Sequence, residues 1–277
     1  MNILKTKSEV RQFVFNLKAS GKSIAFVPTM GALHKGHLSL VEIAKQKADI
    51  AICSIFVNPT QFGQGEDFEK YPRAENSDIE LLKNANCDAV FIPSKDEIYS
   101  ANNFKILPLE KTDILCGAFR KGHFEGVCLV VAKLFNIVQP DFAIFGEKDF
   151  QQVFIINQMV KSLDFNLDVI SAKTMREEDG LALSSRNVYL SQEERLSAGK
   201  VNKILIKALE DFKSKNNAEK ILSSAKNEII NLGFNKIDYL EFRNSDNLEI
   251  AEIYSDKTRI FFAGYIGKTR LIDNLQL

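Results

Sequence analysis

Three histidines in 277 residues leave little material for a histidine-built metal centre. Zinc takes three or four protein ligands. The turn holding two of the three, His34 and His37, contains no Cys, Asp or Glu to complete such a set. The four cysteines, Cys53, Cys87, Cys116 and Cys128, are widely spaced and form no Cys-x-x-Cys pair. They read as buried reduced thiols rather than a disulfide framework. Net charge is absent as well, with 36 basic against 36 acidic side chains. No basic field therefore points to nucleic acid or to an anionic membrane. Arginine is scarce too, at nine residues, so an arginine inside a motif carries more weight than a lysine. No apolar run approaches the roughly 20 residues that span a bilayer. Met1 to Lys5 lacks the apolar core of a secretory signal. The expected location is the cytoplasm, with no membrane or nucleic-acid partner.

What is present fits a globular enzyme of one large domain or two. Thr6 and Glu9 have capping-box spacing for a helix over 8–19, closed by Gly21. A short apolar strand, 24–27, leads into a glycine-bearing turn and a helix to about Lys47. The unbroken apolar run 50–57 reads as a parallel strand covered on both faces. A helix over 76–84, strands at 89–92 and 104–108, a helix over 124–138, a strand at 142–145, a helix over 150–163 and a strand at 166–171 follow. Strands alternating with helices predict an α/β fold, a doubly wound, mostly parallel, Rossmann-like sheet. Beyond Thr174 the texture changes. A second capping box, Ser191 with Glu194, opens a helix to about Phe212, and another helix spans 218–232. Strands at 237–242, 259–265 and 268–272 follow, the last two forming a hairpin. The expected division is a domain over 1–174 that binds the substrates and a smaller C-terminal α+β lid domain over 175–277.

Five segments carry chemistry. The first runs Pro28-Thr29-Met30-Gly31-Ala32-Leu33-His34-Lys35-Gly36-His37. Strand, glycine turn and helix start is the build of a phosphate site, because free N–H groups and the positive end of the helix dipole face the turn. The second, Asn58-Pro59-Thr60-Gln61, leaves the next strand. Its neutral amides suit a small polyol acid, and Asn-Pro is equally ordinary turn chemistry. A polar loop over 63–73 follows, with a lid as one use for 63–70. The third, Arg120-Lys121-Gly122-His123-Phe124-Glu125-Gly126, is either a charged helix entrance or a substrate-side or interface element. The fourth is Gly146-Glu147-Lys148-Asp149-Phe150-Gln151-Gln152. Asp149 and Gln152 have capping spacing, but a lysine at a helix start opposes the dipole and asks for an anionic partner such as phosphate. Asp149 then stands near any Mg²⁺ that accompanies ATP. The fifth runs from Met175 to Asn187, where Ser184, Ser185 and Arg186 offer hydrogen bonds to phosphate oxygens, with a solvated linker as the alternative.

His-x-Gly-His after a strand resembles the signature of class I aminoacyl-tRNA synthetases and their nucleotidyltransferase relatives. The longer string from Pro28 to His37 resembles the pantothenate synthetase family, and all five segments occur in that family's order. The resemblance is strong from Ile24 to Leu190 and rests on length and texture beyond. It implies a homodimer that condenses pantoate with β-alanine at the expense of ATP through a pantoyl adenylate, releasing AMP and diphosphate. It assigns His34, His37, Lys148, Ser184, Ser185 and Arg186 to ATP phosphates, with His37 at the family's catalytic position and His34 and Lys148 catalytic beside it. Met30, Gly146, Asp149 and Met175 would also line the ATP site, with Asp149 contacting the ribose or Mg²⁺. Gln61 and Gln152 would hold pantoate, with Asn58 shaping that pocket. Two positions depart from the family's pattern: Lys121 stands where proline is expected, and Met175 where a smaller aliphatic residue is commoner.

The nearest rival is an adenylyltransferase acting on a phosphate-bearing substrate, which would share the first turn. The neutral Asn58 and Gln61 argue against a second phosphate there. A non-catalytic ATP-binding sensor would bind nucleotide without releasing diphosphate. A tRNA ligase is disfavoured by the neutral charge.

Overall fold

The computed structural model describes residues 1–63, 65–100, 104–215 and 217–277. In chain order the elements are β1 (Asn2–Leu4), α1 (Lys7–Ala19), β2 (Ile24–Thr29), α2 (Lys35–Lys47), β3 (Ile50–Ile55), α3 (Glu75–Asn84), β4 (Ala89–Phe91), α4 (Lys95–Tyr99) and α5 (Leu115–Phe119). There follow α6 (His123–Val138), β5 (Phe142–Gly146), α7 (Phe150–Ser162), β6 (Asp168–Ala172), α8 (Gln192–Lys215), α9 (Ala218–Asn231), β7 (Phe234–Asn244), β8 (Thr258–Ile266) and β9 (Thr269–Leu275). They divide into two compact units. The first comprises Met1–Thr112, Arg120–Glu147 and Gln152–Lys173; the second comprises Asp113–Phe119, Lys148–Gln151 and Thr174–Leu277.

The first unit is a six-stranded sheet in the order β1-β4-β3-β2-β5-β6. Every pairing in it is parallel. The central strands are largely apolar because helices cover both faces, with Thr29 and Ser54 as the polar exceptions. Ala25, Val27, Ala51, Cys53, Val90 and Ile144 pack with Val41, Ala44 and Leu82 from α2 and α3. Helix α1 starts at the capping box read from the sequence, with Thr6 and Glu9 bonding each other's backbone N–H.

The second unit holds the antiparallel sheet β7-β8-β9 under α8 and α9. Phe212 of α8 stacks on Phe242 of β7 with ring centroids 4.3 Å apart, among Leu205, Leu209, Ile229, Ile260 and Phe262. Ser191 and Glu194 form the second capping box.

Two readings change. The segment 104–108 is not a strand: Phe104 and Leu107 are exposed, and Pro108 brings no N–H to a ladder. A three-residue strand at the N-terminus, β1, pairs with β4 at the sheet edge, too short to show a period. Gln64, inside the loop read as a lid, lies outside the described residues. All four cysteines are buried free thiols. Among the described residues, no helix is long and apolar enough to cross a membrane.

Candidate active site

The winding order of the parallel sheet reverses between β2 and β5. From β2 the chain winds through β3 to β4 on one side, and from β5 to β6 on the other. In open α/β sheets the loops at the carboxyl ends of strands around such a reversal bind the ligand. The first, second and fourth segments leave the carboxyl ends of β2, β3 and β5.

The turn after β2 is built around one carboxylate. Gly31 and Ala32 both have left-handed backbone, with φ of 83° and 49°. A Cβ on Gly31 would lie 2.9 Å from Ile55 Cγ2 and 3.0 Å from Asp78 Oδ2. Asp78, from α3, accepts the N–H groups of Ala32 at 2.8 Å and Leu33 at 2.7 Å. Burial pushes its carboxyl above the ordinary aspartate range, outweighing the pull of those two bonds. His34 then caps α2. Its Nδ1 accepts from Gly36 N at 3.2 Å, and His37 Nδ1 accepts from His34 N at 3.3 Å. A ring nitrogen that accepts a hydrogen bond carries no proton, so each neutral imidazole holds its proton on Nε2. The rings lie together, centroids 4.1 Å apart. The chain thus presets both tautomers.

The segment after β3 is a 3₁₀ turn, Pro59–Gln61, capped by Asn58. Asn58 Oδ1 accepts from Tyr99 Oη at 2.6 Å and Thr60 Oγ1 at 2.9 Å, while Nδ2 donates to Gln61 Oε1 and to Gly126 O, both at 3.1 Å. Both amide hydrogens of Asn58 are thereby engaged. Gln61 Nε2 donates to Met30 Sδ at 2.9 Å, which joins the turn after β3 to the end of β2. The third segment underlies this turn. His123 Nδ1 contacts Gln61 O at 2.8 Å, and Arg120 forms a two-pronged ion pair with Glu66, each bond 2.7 Å. These side chains turn inward onto Gln61 and Glu66, which is more than a plain charged helix entrance requires.

Gly146 ends β5 opposite Ala172. A Cβ there would meet nothing within 4 Å among the described residues, so none of them demands glycine. Gln151 and Gln152 part company on α7. Gln151 is buried in the second unit, bonded to Cys116 N at 2.9 Å and Ile114 O at 2.8 Å. Gln152 belongs to the first unit and is half-buried.

The remaining predicted residues belong to the second unit. Lys148 and Asp149 lie in a 3₁₀ turn before α7. This stretch is tied to β8 and β9: Asn274 Nδ2 donates to Lys148 O at 2.9 Å, and the Arg259 guanidinium lies 4.1 Å over the Phe150 ring. The fifth segment is no solvated linker. Arg176 and Ala182 form an antiparallel bridge, and Arg176 grips both oxygens of Asp273 at 2.7 and 2.9 Å. Asp179, on the turn, is paired with Arg195, which holds its carboxyl below the usual aspartate range. Ser184 caps the 3₁₀ turn Ser185–Tyr189, its Oγ accepting from Arg186 N at 3.3 Å. Met175 is exposed and lends its carbonyl to Leu183 N. Among the described residues no group of three or more His, Cys, Asp or Glu is placed to hold a metal ion.

A family model described as pantoate-beta-alanine ligase matches residues 2–276. The chain belongs to the pantoate–β-alanine ligase family. It is 46% identical to the pantothenate synthetase of Caldicellulosiruptor bescii, over 99% of this chain and 98% of that one. It is 49% identical to that of a Thermoanaerobacter species, over 97% and 95%. Among solved structures, the pantothenate synthetase of Thermus thermophilus superposes with a TM-score of 0.92 at 39% identity, covering 100% of this chain and 99% of the other. The ligase from Francisella tularensis, complexed with beta-gamma ATP and beta-alanine, gives 0.85 at 40% identity over 100% and 97%. As a pantoate–β-alanine ligase the chain is an enzyme of pantothenate biosynthesis.

Sequence reading alone missed Asp78 and Tyr99. Asp78 left a trace, as a charged residue on the α3 face shared with Ile79 and Leu82, both buried. Tyr99 left none, since it acts across 41 residues, and Gly126, named within the third segment, gave no sign of its approach to Thr60.

Proposed function

We propose that the enzyme joins pantoate to β-alanine in two steps at the expense of ATP. A pantoate carboxylate oxygen attacks the α-phosphorus, and the bond to the bridging oxygen of the diphosphate breaks. The β-alanine amine nitrogen then attacks the acyl carbon, AMP leaves and the amine gives up a proton. The observation that carries this reading is the pair of imidazoles at the start of α2, each with Nδ1 committed to backbone and its proton on Nε2. Such donors stabilise charge spreading over phosphate oxygens without reorganising during the reaction.

On this reading His37 is the main catalytic donor and His34 and Lys148 assist it. Ser184, Ser185 and Arg186 are assigned to phosphate oxygens by their chemistry. Met30, Gly146 and Met175 line the nucleotide site, and the open space above Gly146 supports close approach there. Gln61 and Gln152 hold pantoate. Gln61 keeps a second amide hydrogen and a second lone pair beyond those it spends on Met30 and Asn58. Asn58, fully engaged, shapes the pocket. Mg²⁺ would neutralise phosphate charge; with Asp149 as its one proposed protein ligand, it fits an ion carried on the nucleotide rather than a protein cage. The working state is assigned as a cytoplasmic homodimer, checked by light scattering against twice the 31.2 kDa chain mass.

The deciding experiment measures diphosphate release from ATP with pantoate present or omitted, before β-alanine is added. Pantoate-dependent release with a trappable acyl adenylate is expected. Release that waits for β-alanine, with no adenylate trapped, rules the two-step course out.

A further inference from the structure

The third segment has no place in the chemistry above, yet it is aimed at one atom of it. His123, 7% exposed, directs Nδ1 at the carbonyl oxygen of Gln61 from 2.8 Å. Arg120 reaches the same oxygen from Nη2 at 3.3 Å and sets Nη1 2.9 Å from His123 Nε2. Guanidinium has no lone pair to accept with, so His123 Nε2 must be the acceptor and Nδ1 the donor. The imidazole is therefore held as the neutral Nδ1–H tautomer, and its single proton goes to Gln61. The far side of Arg120 is locked by Glu66, with Nε and Nη2 each 2.7 Å from a carboxylate oxygen. Gly126, one turn further along α6, lets the helix close on the same turn. A Cβ there would lie 2.1 Å from Thr60 O, and its own carbonyl accepts from Asn58 Nδ2 at 3.1 Å.

We propose that Arg120 and His123 are positioning residues that set the backbone of Gln61, and through it the amide that meets pantoate. This rests on the assignment of Gln61 to pantoate made above. The turn is already closed locally by Phe62 N on Pro59 O. The extra donors are thus not needed to make a turn; they converge on the peptide that carries the assigned substrate residue. A site group displaced by about 1 Å loses on the order of 10²-fold.

The test is steady-state kinetics with pantoate and ATP varied separately. His123→Phe keeps the ring and removes the donor. Its kcat/KM for pantoate is expected to fall at least ~10-fold with the KM for ATP within about twofold. His123→Asn places an amide N–H near the former Nδ1 and is expected to recover most of the loss. Glu66→Gln, which frees Arg120 without touching the turn, is expected to raise the KM for pantoate severalfold. Should His123→Phe fail to fold, the Asn and Gln variants decide alone. Equal losses for pantoate and ATP, or an unchanged pantoate kcat/KM per folded molecule, overturn the positioning role. If the wild type shows no pantoate-dependent diphosphate release, the assignment of the reaction fails instead, so the two failures are told apart.

Discussion

Two carboxylates brace the two turns that carry the first and second segments, and the protein treats them in opposite ways. Asp78 is buried with no cationic partner beside it among the described residues and meets two backbone N–H groups. Burial wins, and its carboxyl is pushed above the ordinary range. Glu66 is buried in part, and burial alone would raise it too. The Arg120 guanidinium, by hydrogen bonds and by charge, together with the Gly63 N–H and His123, outweighs that and holds it below the ordinary glutamate range. The same desolvation therefore ends in opposite shifts, depending on whether dipoles or a full charge stand opposite. Neither carboxylate is proposed to touch substrate. Each sets the frame for residues that are, His34 and His37 in one case and Gln61 in the other.

This contrast separates residues that brace from residues that react, and the largest expected effects test that separation. His37→Ala and Lys148→Ala should both fold, the first with a stability loss of about 1 kcal/mol from the lost cap bond to His34 N, and both should lose ~10²–10³ in kcat. A near wild-type rate in either sinks its assignment. Asp78→Ala should differ in kind. It strands two N–H groups and opens a void at the turn, so a stability loss of about 2–4 kcal/mol should accompany the lost activity, read by urea unfolding. Gly31→Ala comes next, at about 1–3 kcal/mol, because a left-handed residue acquires a Cβ that runs into Ile55 and Asp78. Gly146→Ala is its counterpart at the end of β5, with open space around the added methyl. It should leave stability within ~0.5 kcal/mol and still reduce kcat/KM for ATP. If it is silent in both, nothing at that strand end approaches the glycine.

These particulars show what sequence could and could not say. The alternation of apolar strands with amphipathic helices was enough for the parallel sheet, since burial on both faces leaves a continuous apolar run such as 50–57. The capping boxes at Thr6 and Ser191 were legible because their chemistry spans three residues. The His34–His37 turn was legible for the same reason, though the use of each Nδ1 by backbone was not. Asp78 lies 45 and 46 residues from the groups it bonds, and Arg120 lies 54 from Glu66. No local pattern encodes such a distance. Hence the sequence leaves the third segment open between a charged helix entrance and a substrate-side or interface role, and its contacts with Gln61 and Glu66 emerge only in the fold; the segment 104–108 reads as a strand by composition, although no partner strand stands beside it among the described residues.

The smallest effect is the sharpest test of the contrast, because it has a sign. A carboxyl whose folded pKa is raised contributes stability below its unfolded pKa that is lost as pH rises through the folded value; one whose folded pKa is lowered contributes stability above its unfolded pKa that is lost as pH falls through the folded value. Asp78 is the first kind and Glu66 the second. Unfolding free energies of the wild type, Asp78→Asn and Glu66→Gln, measured from about pH 3 to 7, isolate each group by difference. The wild type should lose ground to Asp78→Asn as pH climbs out of the ordinary aspartate range. It should gain on Glu66→Gln over the acid side of the ordinary glutamate range, by about 0.5–1 kcal/mol for a two-pronged pair of this exposure. The pantoate KM of the wild type should rise in that same acid window, since a neutral Glu66 releases Arg120. Slopes of one sign for both variants would mean that Arg120 does not outweigh the burial of Glu66, and the two braces would then obey a single rule.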